Sequence, residues 1–73
     1  PSCNIEFKLE QDQFVKIRVN DILGRQIKLL NNKVLQKGRH QLLWDAKDNA
    51  SGIYFISIDY NKFNQITKVT LKK

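Results

Sequence analysis

The sequence predicts an all-β protein, a small antiparallel β-sandwich built from short strands. Apolar and polar residues alternate over five segments, which is typical of strands that bury one face and expose the other. Turn-forming residues separate these segments at intervals of about 8–12 residues, as in small sandwiches. With 73 residues and a mass of 8.6 kDa, the chain has room for one hydrophobic core, so we expect a single domain over residues 1–73.

The strands can be assigned in chain order from the alternation. The five clear segments are Ile5–Leu9, Val15–Val19, His40–Trp44, Tyr54–Ile58 and Phe63–Leu71. Two shorter candidates, Gln26–Leu30 and Val34–Leu35, bring the expected number to about seven. Segment Ile22–Leu35 also shows some helical spacing, but Gly24 and Asn31–Asn32 interrupt it, and strands are therefore favoured there.

The connections contain the residues that favour chain reversal. They are Gln11–Gln13, Asp21–Gly24, Asn31–Lys33, Lys37–Gly38, Asp45–Gly52 and Asn61–Lys62. In the first of the glycine turns, Gly24 can adopt positive φ and Asp21 can accept hydrogen bonds from nearby backbone amides. Arg25 is placed to pair with Asp21 across the turn. We interpret this motif as a structural turn rather than a ligand site.

Trp44 and the loop that follows it allow two interpretations each. Trp44 alternates with Leu42, which predicts a core anchor between the sheets, although an indole can also serve as a sugar-stacking platform. Asp45, Asp48 and Asn49 carry oxygen atoms of the kind that bind calcium, but their spacing is not that of an EF-hand loop. Capping of backbone amides is the favoured role for these three side chains.

The composition argues against catalysis and against cofactors. One histidine and one cysteine are too few for a zinc set, and a single cysteine forms no disulfide within the chain. His40 has no serine or cysteine near it in sequence, and no pair of carboxylates stands out. No apolar run approaches the roughly 20 residues of a membrane helix. We therefore expect no enzyme activity, no cofactor, no metal and no membrane insertion.

The positive charge is concentrated near the end of the sequence. The chain has 13 basic and 7 acidic side chains, a net charge of +6. Residues 61–73 supply +4 of this through Lys62, Lys68, Lys72 and Lys73, and they contain no acidic residue. Elsewhere the basic residues are spread along the chain and do not cluster with exposed aromatic side chains, so a nucleic-acid partner is not predicted.

Several motifs together resemble the C-terminal sorting domains that the type IX secretion system of Bacteroidetes and related phyla exports (type A). The matching segments are Asn4–Leu9, Val15–Arg25, Gly38–His40, Trp44–Asp45, Ser51–Phe55 and Lys68–Lys73. Their order and spacing follow the family over essentially the whole chain. The most specific feature is the Asp-x-x-Gly-Arg turn combined with the Trp-Asp to Ser-Gly-x-Tyr loop. Ala46 departs from the glycine that is usual after Trp-Asp.

This resemblance implies an immunoglobulin-like antiparallel sandwich and a non-catalytic function. Such a domain is a sorting signal that directs a covalently linked upstream cargo protein from the periplasm, through the outer-membrane translocon, to the cell surface. In many members a surface transpeptidase then removes the domain. The chain is accordingly expected to be a fragment of a larger secreted protein.

Two alternative functions follow from the same sequence. The family also resembles the immunoglobulin-like domain of flagellar hook-capping proteins, which shares the Trp-Asp and Ser-Gly-x-Tyr features. A carbohydrate- or matrix-binding accessory module would need exposed aromatic rings, and Phe14, Phe55 and Tyr60 are the candidates on the outer faces.

The resemblance also assigns roles to particular residues. It places partner recognition at Lys68, Leu71 and Lys73, with Val69 on the same apolar face as Leu71, and the charge pattern adds Lys72. It makes Gly24 and Gly52 fold-defining, and we expect the same of Asp21, Arg25, Trp44, Asp45 and Tyr54 from their places in the turn, the loop and the core.

Overall fold

The structure, a computed structural model, describes residues 2–72 and forms two antiparallel sheets. The six strands are β1 (Ser2–Leu9), β2 (Gln13–Asp21), β3 (Gln26–Leu35), β4 (Gly38–Asp45), β5 (Gly52–Tyr60) and β6 (Phe63–Leu71). One sheet contains β1 and β4, and the other has the strand order β3-β2-β5-β6. The described residues contain no helix. The all-β prediction is confirmed, and the two-sheet arrangement is consistent with an immunoglobulin-like sandwich.

The strand count is six among the described residues, rather than about seven, because β3 unites two predicted strands. Segment Asn31–Lys33, which the sequence predicted to be a turn, lies inside β3 and pairs with β2. The register between the two strands shifts after Ile17, as at a β-bulge. At this point the side-chain amide of Asn31 donates to the main-chain oxygen of Val15 at 2.8 Å. This buried hydrogen bond gives the polar side chain of Asn31 a partner inside the sheet. Asn31 can therefore lie within a strand instead of in a solvent-exposed turn.

The hydrophobic core lies between the two sheets and is formed by the inward positions of the predicted alternation. It consists of Ile5, Leu9, Val15, Ile17, Val19, Trp44, Ala46, Tyr54, Ile56, Ile58 and Leu71. Trp44 is only 1% exposed. Its ring meets that of Tyr54 edge to face with the centroids 5.3 Å apart. The prediction that Trp44 anchors the core is confirmed, and the indole is not accessible as a sugar platform.

The small sheet covers only part of the large one. Along β6 the side chains that share the inner face with the core are those of Phe63, Gln65, Thr67, Val69 and Leu71. The first three of these are exposed, Val69 is half-buried and Leu71 is buried. The half-buried face predicted for the whole of β6 is therefore found only at its end. Gln65 and Thr67 line an open pocket together with Cys3 and Ile5 of β1, so the small sheet does not close over this part of β6.

Replacing Trp44 with alanine tests the importance of this core. Because Trp44 fills the space between the sheets, we expect Trp44→Ala to lower the free energy of unfolding by about 3–5 kcal/mol, enough to unfold a domain this small. The neighbouring Leu43 is exposed and serves as the control, since Leu43→Ala should change stability by less than about 0.5 kcal/mol. Thermal or urea denaturation measures both, and equal effects for the two variants would contradict the assignment.

Candidate functional site

β6 forms one edge of the large sheet. It pairs with β5 over its whole length, from Phe63 opposite Tyr60 to Leu71 opposite Gly52. Within residues 2–72, no strand lies on its other side. An edge strand of this kind presents a row of unpaired N–H and C=O groups to which another chain can pair. The edge position, which the sequence alone does not give, makes β6 the candidate interaction strand.

The tight turn before β6 determines which of its backbone groups face outward. Only Asn61 and Lys62 connect β5 to β6, and Asn61 takes a positive φ of 53°. A two-residue connection is flanked by a hydrogen-bonded pair, and hydrogen-bonded and non-hydrogen-bonded pairs then alternate along the ladder. The residues of β6 that direct N–H and C=O away from β5 are therefore Asn64, Ile66, Lys68 and Thr70.

The described lysines of this region form no ion pair. Lys62, Lys68 and Lys72 are exposed, and none forms an ion pair with another described residue. The carboxylate of Asp59, on the adjacent strand, is already engaged by Arg18 at 3.1 Å and by the side-chain amide of Asn64. Lys62, Lys68 and Lys72 are thus free of ion pairs with the other described residues.

The predicted recognition residues divide into two groups. Lys68 and Lys72 are exposed and available to a partner, whereas Val69 packs against the core and Leu71 belongs to it. Lys73 lies outside the described residues. Val69 and Leu71 therefore anchor the end of β6 to the core, whereas Lys68 and Lys72 are exposed to solvent.

The Asp21–Arg25 turn is held by a dense set of hydrogen bonds. Asp21 Oδ1 accepts from the backbone amides of Leu23 and Arg25, each at 2.9 Å. Its Oδ2 pairs with Arg25 Nε at 2.7 Å. Gly24 has a φ of +82°, a conformation that side-chain-bearing residues rarely adopt. The pairing and the glycine conformation expected from the sequence are both present.

The same contacts alter the acidity of Asp21. Burial by itself raises the pKa of the Asp21 carboxyl, but this effect is outweighed. Hydrogen bonds from the Arg25 backbone and side chain and from the Leu23 amide, together with the Arg25 charge, hold the pKa below its usual value. The carboxylate form is therefore the one that stabilises the turn.

The loop after Trp44 is closed by local hydrogen bonds. Asp45 Oδ1 accepts from the Lys47 amide at 3.1 Å, which is the capping role that the sequence favoured. The Tyr54 hydroxyl donates to the Ala50 carbonyl at 2.6 Å, and Gly52 takes a φ of +155°. Among residues 2–72, no three His, Cys, Asp or Glu side chains are grouped closely enough to hold a metal ion.

The outward aromatic residues do not form a platform. Phe14 and Phe55 share the outer face of the large sheet, but Phe55 lies opposite Asn20, six residues along β2 from Phe14. At about 3.4 Å per residue the two rings are roughly 20 Å apart. The prediction was wrong for Tyr60, which packs against the core and stacks on Phe63. Its position in β5 places it on the inner face.

His40 is engaged in structural contacts. Its ring stacks on Phe7 with the centroids 5.4 Å apart, and its Nε2 lies 2.6 Å from the Gln36 carbonyl oxygen. No serine or cysteine hydroxyl or thiol is hydrogen-bonded to it among the contacts of the described residues. In the same part of the chain, no helix has the length and hydrophobicity needed to cross a membrane.

Sequence reasoning did not identify two exposed apolar residues, Ile22 and Ile66, as features of the surface. Both lie near the Asp21–Arg25 turn, on the outer face of the large sheet. A signal was present for the first, because large apolar residues are unusual at the tip of a turn. For the second the signal was the alternation itself, which places Ile66 on the polar face of β6 with Asn64 and Lys68.

Comparison with known proteins gives one match. The family model described as a secretion system C-terminal sorting domain matches residues 2–72. No curated protein and no solved structure matches the chain significantly.

Replacing Asp21 with asparagine tests the turn through its pH dependence. A carboxyl whose pKa is lower in the folded than in the unfolded state contributes stability above the unfolded pKa, and loses it as the pH falls through the folded pKa. We therefore expect the wild type to be more stable than Asp21→Asn at pH 7, with the difference shrinking below about pH 4. Urea midpoints measured from pH 7 to about pH 2 follow this change.

The exposed Asp48 provides the control. Asp48→Asn should leave the urea midpoint at pH 7 unchanged, because this side chain lies at the surface. A difference between wild type and Asp21→Asn that persists undiminished at low pH would contradict the role of the ionised carboxylate.

Proposed function

The chain belongs to the family of secretion system C-terminal sorting domains, and from this membership we propose that the end of β6 is the element that the type IX machinery recognises. A domain of this family is a C-terminal sorting signal for type IX secretion. It marks the cargo protein upstream of it for the cell surface or the extracellular space. The proposal concerns how the signal is presented.

One observation carries the proposal: the end of an exposed edge strand bears Lys68 and is followed by Lys72, and neither forms an ion pair with a described residue. Free backbone groups of β6 alternate with groups bonded to β5, so an extended segment of a partner can add to the sheet as a further strand. Backbone hydrogen bonds would supply affinity without requiring a particular sequence. This suits a signal that accompanies many different cargo proteins.

The lysines have a different task in this mechanism. Lys68, Lys72 and Lys73 would attract an acidic surface and fix the register of the added strand, an effect that acts mainly on the rate of encounter. Val69 and Leu71 hold the end of β6 against the core, so that Lys68 and Lys72 leave the sandwich at a fixed position. The fold-defining residues support the strand indirectly: Trp44 and Tyr54 pack in the core that holds Leu71, and Asp21 and Arg25 fix the turn between β2 and β3.

We also propose that the domain itself catalyses no reaction and that a surface transpeptidase removes it after export. The family of sorting domains is not catalytic. The contacts of His40 with Phe7 and Gln36 support a structural role for the single histidine.

A charge-reversal experiment tests the recognition end. Residues 1–73 are fused to a reporter in a host that has a type IX system. Deleting Val69–Lys73 is expected to abolish surface delivery, but it also removes the buried Leu71. The double variant Lys68→Glu with Lys72→Glu leaves the core intact, and we expect it to reduce delivery by about tenfold.

Lys28 and Lys33 provide the matched control, because both are exposed and both lie on β3, the opposite edge of the same sheet. Reversing these two charges should change delivery by less than about twofold. Normal delivery by the Lys68 and Lys72 variant would refute the proposed role of the lysines.

A proline in β6 tests strand addition separately from charge. The Thr70 amide points away from β5, so Thr70→Pro removes a free donor without breaking the β5–β6 ladder. We expect Thr70→Pro to reduce delivery about tenfold or more, since the ring also blocks an approaching strand. Thr70→Ala, which keeps the amide, should deliver normally. Equal delivery by both variants, with equal melting temperatures, would exclude pairing at this position.

A further inference from the structure

We infer that a groove on the outer face of the large sheet, walled by Ile22, Phe55 and Ile66, binds an apolar segment of the protein partner that pairs with β6, and that this partner carries an acidic group at the rim. The groove has a volume of about 330 Å³. The inference rests on the proposed function, because β6 supplies one wall. The groove is a second contact surface beside the β6 edge. It is formed largely by the Asp21–Arg25 turn, which takes no part in pairing with β6.

The turn holds Ile22 and Leu23 away from the core. Ile22 is 66% exposed and Leu23 is 74% exposed. Turn tips usually carry glycine, proline or short polar residues, which set the backbone angles of a turn or bond its backbone, so two adjacent large apolar residues are unusual there. The bonds that Asp21 accepts from the Leu23 and Arg25 amides fix the turn backbone, which keeps both apolar residues at the turn tip and outside the core. Such rigid presentation of apolar side chains favours binding, because little conformational freedom is lost on contact.

The sheet contributes the rest of the groove. Ile66 lies directly opposite Ser57 in the register of β5 and β6, and is 61% exposed. Ser57 is buried and short, so it forms a floor between the larger side chains of Phe55 and Ile66. On the turn side the wall includes Gly24, which has no side chain and leaves the end of the groove open.

The apolar walls indicate the chemistry of the occupant. Exposed apolar groups that cluster on one face of a small domain mark an interaction surface. Two basic residues on the same side are already neutralised, since Arg18 pairs with Asp59 and Arg25 pairs with Asp21. Lys68 lies opposite Phe55 and has no ion-pair partner among the described residues. A carboxylate on the partner is therefore the complement at this rim.

A protein segment fits these features better than a membrane. Attraction to anionic lipids typically needs about 4–8 basic residues in one cluster, whereas this rim offers one uncompensated lysine. A strand added to β6 would place alternate side chains on the outer face, next to Ile66. The strand that pairs with the edge can thus send an apolar side chain into the groove.

Substitution of the walls by glutamine tests the inference. Ile22→Gln and Ile66→Gln are introduced singly and together in the complete secreted protein that carries this domain. Val34 and Leu43 are matched controls, because they are 62% and 63% exposed but lie on β3 and β4, away from the groove. Immunoblots of surface and periplasmic fractions measure delivery, and thermal denaturation of the purified proteins measures stability.

We expect the double groove variant to lose surface delivery about tenfold and to accumulate in the periplasm. The variants Val34→Gln and Leu43→Gln should stay within about twofold of the wild type. All melting temperatures should remain within about 4 °C of the wild type, since every substituted side chain is exposed. A groove variant that unfolds is replaced by Ile22→Ala with Ile66→Val, which keeps the surface polarity closer to that of the wild type.

The outcomes distinguish the two proposals. Normal delivery by stable groove variants, combined with failure of Lys68→Glu with Lys72→Glu, would overturn this inference alone. Normal delivery by both sets would overturn the proposed function as well. Sedimentation velocity and flotation with phosphatidylethanolamine–phosphatidylglycerol vesicles identify other occupants. If the groove variants instead abolish a dimer or vesicle binding of the wild type, the occupant is a second copy or a membrane, and the inference is wrong.

Discussion

A two-stranded sheet can cover only part of a four-stranded sheet, and this mismatch decides which residues of the domain are available to a partner. β2 and β5 lie at the centre of the large sheet and are buried by β1 and β4. Trp44, which comes from the small sheet, fills the space between the two sheets. The first half of β6 falls beyond the small sheet. It is exposed on both faces and at its outer edge, while Leu71 at its end is still held by the core.

Anchoring at one end and exposure along the rest is a favourable arrangement for a sorting signal. A strand without any attachment would be disordered and would lose entropy on binding. A strand covered on both sides would have no free backbone groups. Edge strands are usually protected by charges or proline, yet Phe63–Thr67 contains neither. The segment is thus suited to pairing, and the lysines that follow it supply charge without interrupting it.

The turns around β6 contribute through rigidity. Asp21 satisfies two backbone amides and the Arg25 side chain with a single carboxylate, which leaves the turn little freedom. The same rigidity keeps Ile22 beside Phe55 and Ile66, where the three side chains form the groove. A motif that the sequence presents as a purely structural turn therefore also shapes the surface next to the recognition strand.

The sequence by itself determined the properties that depend on near neighbours. Alternation assigned the inward faces of β1, β2, β4 and β5, because successive side chains of a strand point to opposite sides whatever the strand pairs with. Alternation also predicted the burial of Trp44. The Asp-x-x-Gly-Arg motif predicted the pair of Asp21 with Arg25 and the positive φ of Gly24. Motif resemblance, rather than periodicity, gave the family and its function.

Only the tertiary structure decided the properties that depend on pairing between distant segments. The hydrogen bond from Asn31 to Val15 made one strand of β3 where local turn residues predicted an interruption. The strand order placed β6 at an edge of the large sheet, where its first half is exposed. None of these is encoded locally, because the identity of a strand's neighbours is set by the packing of the whole sandwich.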